Sequence, residues 1–116
     1  MSQITTHVLD TSIGKPAKGI QITLEEKSGN EWKLLGTGIT NEDGRIADLL
    51  AKDVKLSFGI YRMVFEVKPY FEKQNVTSFY PKVIVEFEVS EDRHYHVPLL
   101  LNPFGYSTYR GRKKKT

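Results

Sequence analysis

The chain has 116 residues, of which 39% are hydrophobic and 27% charged; this length supports one hydrophobic core, and the composition excludes disordered and fibrous classes. Its net charge of +3 rests on Arg112, Lys113, Lys114 and Lys115: removing these four from 17 Lys and Arg leaves 13 against 14 Asp and Glu, so the body carries a formal −1 and has no bulk attraction to nucleic acid. The absence of cysteine excludes disulfides, thiolate chemistry and the usual structural zinc sites.

Met1-Ser2-Gln3 runs directly into strand-like sequence, and no apolar stretch approaches the roughly 20 residues of a membrane span, so neither a signal peptide nor a membrane segment is expected. Ile4 to Thr11 sets Ile4, Val8 and Leu9 among β-formers as a first strand, before Gly14-Lys15-Pro16-Ala17-Lys18-Gly19 interrupts with turn chemistry. Ile20-Gln21-Ile22-Thr23-Leu24-Glu25 alternates apolar and polar residues at period two, the pattern of a strand with one wet face. Ser28-Gly29-Asn30 then turns the chain, and Trp32 to Thr40 returns as the partner strand of a hairpin. Asn41-Glu42-Asp43-Gly44 is a second strong turn, because Asp tolerates and Gly readily adopts positive φ, and it presents Arg45 just after the bend. Ile46 to Lys55 fits neither period. Ile60 to Val67 returns to β-rich sequence and reads as a central strand. Pro69 to Gln74 is the only candidate helix, since Pro suits a helix's first position. Val83–Val89 and Tyr95–Leu101 complete the set on either side of the polar Ser90-Glu91-Asp92-Arg93 turn. Seven or eight short strands with at most one short helix predict an all-β, two-sheet antiparallel β-sandwich. One domain is expected over residues 1–111, followed by a flexible basic tail over 112–116.

Among three histidines, His7 and His96 fall within predicted strands, where an imidazole is held firmly, while His94 lies nearer a turn. A neutral imidazole with a reference pKa of roughly 6.5 can take a proton from water at physiological pH. Arg45 offers a permanent charge on a planar fork, able to pair with an anionic heterocycle and to stabilise a developing oxyanion. Tyr109 and Arg110 could bind a planar polar ligand in a similar way. Taken singly, these residues also fit hydrogen-bonded strand histidines and solvated surface residues. Metal binding is not expected, because His94-Tyr95-His96 with one distant histidine has no recognised zinc spacing. There is no nucleophile elbow, phosphate-binding glycine loop or dinucleotide fingerprint. What remains compatible is direct attack by activated water, with a histidine as base and an arginine as anion clamp.

Thr6-His7-Val8-Leu9-Asp10-Thr11, Gly14-Lys15-Pro16-Ala17-Lys18-Gly19, Asp43-Gly44-Arg45 and Tyr95-His96-Val97-Pro98-Leu99-Leu100-Leu101 occur in that order. Together they resemble the 5-hydroxyisourate hydrolases, the enzymatic branch of the transthyretin-like family, over nearly the whole chain. Tyr106-Ser107-Thr108-Tyr109-Arg110-Gly111 looks like the approach to that family's C-terminal Tyr-Arg-Gly-Ser signature, but Arg112 stands where the serine is usual. The resemblance implies an eight-stranded sandwich with a short helix, assembled as a homotetramer, a dimer of dimers with active sites in a central channel. It implies His7, Arg45 and His96 as catalytic residues, with His7, Arg45, Tyr109, Arg110 and Gly111 contacting the substrate. The implied reaction is hydrolysis of 5-hydroxyisourate to 2-oxo-4-hydroxy-4-carboxy-5-ureidoimidazoline in urate degradation, without a cofactor. In the favoured assignment His7 activates water, Arg45 binds the substrate anion and steadies the oxyanion, and His96 orients water or shuttles the proton. The expected setting is the cytoplasm, or a peroxisome in a eukaryotic host, with no membrane or nucleic-acid partner. Two competing functions are a transthyretin-type carrier of a hydrophobic ligand and an interaction module that uses the basic tail.

Overall fold

In the first strand, alternation becomes a division between two faces. The computed structural model describes residues 3–51 and 54–111, so the expected tail over 112–116 lies outside the described residues. Strand β1 (Ile4–Asp10) buries Ile4, Thr6, Val8 and Asp10 on one face and leaves Thr5, His7 and Leu9 half-buried on the other, as a period of two requires. It pairs with the two-residue β2 (Lys15–Pro16), then come β3 (Gln21–Ser28), β4 (Glu31–Ile39), β5 (Gly59–Glu66), α1 (Val67–Glu72), β6 (Val83–Val89), β7 (Tyr95–Asn102) and β8 (Gly105–Thr108). These form two four-stranded sheets, ordered β2-β1-β7-β8 and β4-β3-β5-β6.

The core lies between the sheets. Ile4, Val8, Leu99 and Leu101 from the first sheet and Ile22, Leu24, Met63 and Phe65 from the second are all buried and belong to one apolar cluster. Each such side chain contributes about 1.5–3 kcal/mol relative to exposure. Asp10 is also fully buried; it accepts hydrogen bonds from the Tyr70 hydroxyl at 2.7 Å and from the Ser12 backbone N–H at 3.0 Å. This carboxylate fastens α1 to the end of β1, and its buried charge is tolerated because its oxygens have partners.

The two-sheet sandwich agrees with the sequence-based expectation, with three differences. One pairing, β1 with β7, is parallel instead of antiparallel. Some 90 residues separate the partners, so no tight hairpin constrains their relative direction. The helix begins at Val67 rather than Pro69, placing Pro69 inside the first turn, where its missing N–H has no intrahelical partner to lose. The region Ile46–Lys55 contains no strand among its described residues; Leu49 and Leu50 are buried there, and Leu49 lies so close over Gly36 of β4 that a side chain at Gly36 would strike its carbonyl.

Candidate active site

The parallel register of β1 and β7 sets His96 opposite Thr5 and Pro98 opposite His7. Residues two apart on a strand share a face. His7 and His96 are therefore diagonal neighbours on the outer face of the β2-β1-β7-β8 sheet, the face turned away from the core.

Two further segments continue this sheet sideways. On the β2 side Arg45 bridges His7, and on the β8 side Gly111 bridges His96, both antiparallel. The Val8 N–H donates to the Gly44 carbonyl at 2.9 Å, and the Gly111 N–H donates to the His96 carbonyl at 2.9 Å. The result is one row of Arg45, His7 and Pro98 beside a second of Thr5, His96 and Gly111, with adjacent strands about 4.8 Å apart. Asn41 supports Arg45: its side-chain oxygen accepts from the Asp43 and Arg45 N–H groups at 2.9 and 3.1 Å, and its own N–H donates to the Arg45 carbonyl at 2.8 Å. At Gly111 the chain passes directly over the His96 ring, leaving no room for a Cβ, which would sit 2.7 Å from Cδ2.

The register that pairs Leu99 with Thr108 is the one that pairs His96 with Gly111. It sets Tyr109 beside Pro98 on the outer face, where the residue is 57% exposed. Arg110, expected to contact substrate, is placed differently from its neighbours Tyr109 and Gly111. Alternation turns it to the inner side of the sheet, where its guanidinium stacks on the Tyr95 ring at 4.7 Å and pairs with Glu91 at 3.2 Å. The tertiary structure thus brings together His7, Arg45, His96, Gly111 and Tyr109, and leaves Arg110 as a brace behind them.

Thr5 and Asn41 carry contacts that the sequence reading did not single out. Thr5 Oγ1 lies 2.8 Å from His96 Nδ1 and 2.9 Å from His94 Nε2, and the two imidazole rings stack with centroids 6.3 Å apart. Its position two residues before His7 was the available signal, since that spacing places it on the same face.

Burial, and then nearby positive charge, favours the neutral form of both outer-face histidines. Burial lowers His7 below its ordinary 6.5, and the Arg45 cation lowers it further; a backbone hydrogen bond to Asp43 and the Asp43 carboxylate push the other way. Burial also lowers His96, followed by the charges of Arg45, His94 and His7. That Arg45 acts on both rings means its cation lies within electrostatic reach of each. Among the described residues, no group of three or more His, Cys, Asp or Glu is placed to hold a metal ion, and no helix is long and apolar enough to cross a membrane. Two neutral imidazoles beside a fixed cation can accept a proton from water and stabilise an anion.

Residues 4–111 match the sequence profile of the HIUase/Transthyretin family. A 5-hydroxyisourate hydrolase from Salmonella dublin is 46% identical over 109 residues, covering 93% of this chain and 79% of that protein. The solved structure of Klebsiella pneumoniae 5-hydroxyisourate hydrolase superposes with a TM-score of 0.82 at 33% identity, covering 94% of this chain and 98% of that one. Sea bream transthyretin, solved in complex with thyroxine, superposes with a TM-score of 0.89 at 29% identity, covering 98% of each chain. Backbone shape therefore does not separate hydrolase from carrier, and the distinction falls to side chains. By its sequence, its paired four-stranded sheets and the profile match over residues 4–111, this chain belongs to the HIUase/Transthyretin family.

Proposed function

We propose that this protein hydrolyses 5-hydroxyisourate to 2-oxo-4-hydroxy-4-carboxy-5-ureidoimidazoline, a step of urate degradation. The observation that carries the reading is the convergence of His7, Arg45 and His96 on one outer face, with the Arg45 charge acting on both imidazoles. Relatives named 5-hydroxyisourate hydrolase support the choice of substrate. A polar, cationic face suits a small polar anion better than an apolar aromatic ligand, which favours the hydrolase over the carrier.

In the proposed reaction His7 takes a proton from water as the water oxygen bonds to the ring carbonyl carbon. Arg45 stabilises the tetrahedral oxyanion. Collapse re-forms the carbonyl and breaks the ring C–N bond, the leaving nitrogen takes up a proton, and the released carboxyl group ionises. His96 orients the water or moves the proton, while Tyr109 and Gly111 border the substrate. Arg110 contributes by holding that segment against Glu91 and Tyr95.

Stopped-flow decay of freshly generated 5-hydroxyisourate tests this reading against the spontaneous background. The protein accelerates decay, and His7→Asn and His96→Asn each lose about 10²–10⁴-fold in kcat. Because both histidines titrate below 6.5, kcat holds at neutral pH and falls only as pH drops beneath that value. Wild-type turnover in both variants would exclude the assignment.

We further infer a homotetramer, a dimer of dimers. The outer face is open, with Arg45 and Tyr109 exposed, and among the described residues β6 and β8 are edge strands, carrying Ile84 at 47% and Tyr106 at 42% exposure. Such edges are available for pairing with other copies. Sedimentation equilibrium at assay concentrations should give four chains per particle; a fully active monomer would overturn this assembly.

A further inference from the structure

We propose that Thr5 links His96 to His94 in a proton relay that sets whether His96 Nε2 presents a lone pair or a proton to the substrate and carries the proton away from the reacting centre. The inference rests on the hydrolase reading above. Its geometric basis is the single Thr5 hydroxyl lying within hydrogen-bond distance of both His96 Nδ1 and His94 Nε2, at 2.8 and 2.9 Å.

A hydroxyl has one proton to donate. If it donates to His94 Nε2, it is left to accept from His96 Nδ1–H, so the neutral His96 ring carries its free lone pair on Nε2. That tautomer can accept a proton from water. In the opposite polarity the Thr5 proton points at His96 Nδ1, and Nε2–H can only donate. The hydroxyl therefore couples the tautomers of the two rings: when one is set, so is the other.

The relay balances in protons and charge. A substrate-side proton adds to His96 Nε2, the His96 Nδ1 proton passes to Thr5 Oγ1, and the Thr5 proton passes to His94 Nε2. No bond other than these N–H and O–H bonds changes. His96 ends neutral as the Nε2–H tautomer and His94 holds the positive charge; as the Nε2 proton passes to the leaving nitrogen, the His94 Nε2 proton returns to Thr5 Oγ1 and the Thr5 proton to His96 Nδ1, restoring both neutral rings.

The direction of transfer follows from the neighbouring charges. Arg45 bridges His7, which is two positions beyond Thr5 on β1, whereas His94 is two positions before His96, immediately ahead of β7. Transfer thus carries the charge between rings whose centroids are 6.3 Å apart, in the direction away from the Arg45 bridge. Arg45, His7 and His94 all disfavour a cation at His96. Moving the proton to His94 relieves the repulsion from the first two.

Thr5 and His94 act through His96, so the test needs readouts that a purely structural role leaves unmoved. Thr5→Val keeps the shape of the side chain and removes the hydroxyl; Thr5→Ser keeps the hydroxyl. His94→Phe keeps a ring against His96 and removes the acceptor. In stopped-flow assays Thr5→Val and His94→Phe each lower kcat by about 10–100-fold with KM little changed, Thr5→Ser stays within about threefold of wild type, and the Thr5→Val/His94→Phe double variant is no slower than the slower single. Imidazole ¹⁵N spectra of the wild type at neutral pH show His96 protonated on Nδ1, and Thr5→Val reduces that population. A Thr5→Val protein with wild-type kcat, losses that multiply in the double variant, or a wild-type His96 resting as the Nε2–H tautomer each overturns the relay. The spectra need no substrate, so they decide the hydrogen-bond polarity even where the wild-type protein proves inactive, an outcome that removes the hydrolase reading and with it the relay's catalytic use.

Discussion

Arg45→Ala should lower kcat/KM for 5-hydroxyisourate by about 10²–10³-fold, the loss expected when a preorganised oxyanion donor is removed. Stability should barely change, because Arg45 is exposed and the surrounding turn is held through backbone groups and the Asn41 side chain. The same variant should also alter the pH profile. Arg45 is the second-largest cause lowering His7 and His96, after burial. Without its cation both imidazoles protonate more readily, so their values rise towards 6.5 and the acid-side loss of activity starts at higher pH. Linkage has the same sign in stability. Between the lowered folded values and 6.5 the unfolded chain binds more protons, so the contribution of neutral His7 and His96 is lost as pH falls through that window. Arg45→Lys retains the charge but not the planar fork, and should keep the wild-type pH limb while losing much of the rate. Unchanged kcat/KM in Arg45→Ala, measured over pH 5–8 by stopped flow, would remove Arg45 from the mechanism.

Gly44→Ala is expected to destabilise the fold by about 2–4 kcal/mol and to lower activity with it. Gly44 has φ of +73°, a left-handed conformation that costs an L-residue about 1–2 kcal/mol. Space is the second cause: an added Cβ would collide with the Val8 carbonyl oxygen and lie 3.3 Å from His7 Cδ2. Relief of that collision moves the turn outward, weakening the bond from the Val8 N–H to the Gly44 carbonyl and the Arg45 bridge to His7. Gly14 is the internal control, since its φ is +67° and nothing lies within 4 Å of an added Cβ. Gly14→Ala should show only the conformational cost, about 1–2 kcal/mol. Equal shifts of the denaturant midpoint for the two variants would show that close approach at Gly44 is unimportant.

The legibility of this protein differs with the range of the interactions involved. Alternation in Ile20–Glu25 and Val83–Val89 marks strands because a sheet with one covered face demands period two; the first segment is strand from Gln21 onward, in β3, and the second is β6. Asp43-Gly44 reads as a turn because its backbone requirement is local. The two-residue β2 escapes this reading, since Lys15-Pro16 are held by pairing with Leu9 and Asp10 and not by any pattern of their own. The start of α1 at Val67 was likewise hidden, because Val67 continues the β-rich run before it and is helical only in the packed structure, where it is buried.

His7, Arg45 and His96 could be nominated from ordered motifs, but their proximity depends on contacts between distant parts of the chain. The parallel alignment of β1 with β7 decides that His96 faces Thr5 and lies diagonally from His7; a shift of one residue would turn one histidine into the core. Arg110 shows the reverse case. Adjacent to Tyr109 and Gly111 in sequence, it is separated from the site by the alternation of side chains across the sheet and is held by Glu91 and Tyr95. By itself the sequence determined a β-rich, one-core chain, its main turns and the residue types available for water activation, because these follow from local backbone preference, hydrophobic period and side-chain chemistry. Tertiary structure alone decided the strand register, the glycine contacts at positions 44 and 111, and the Thr5 link between His94 and His96, because each depends on which remote backbones pack side by side.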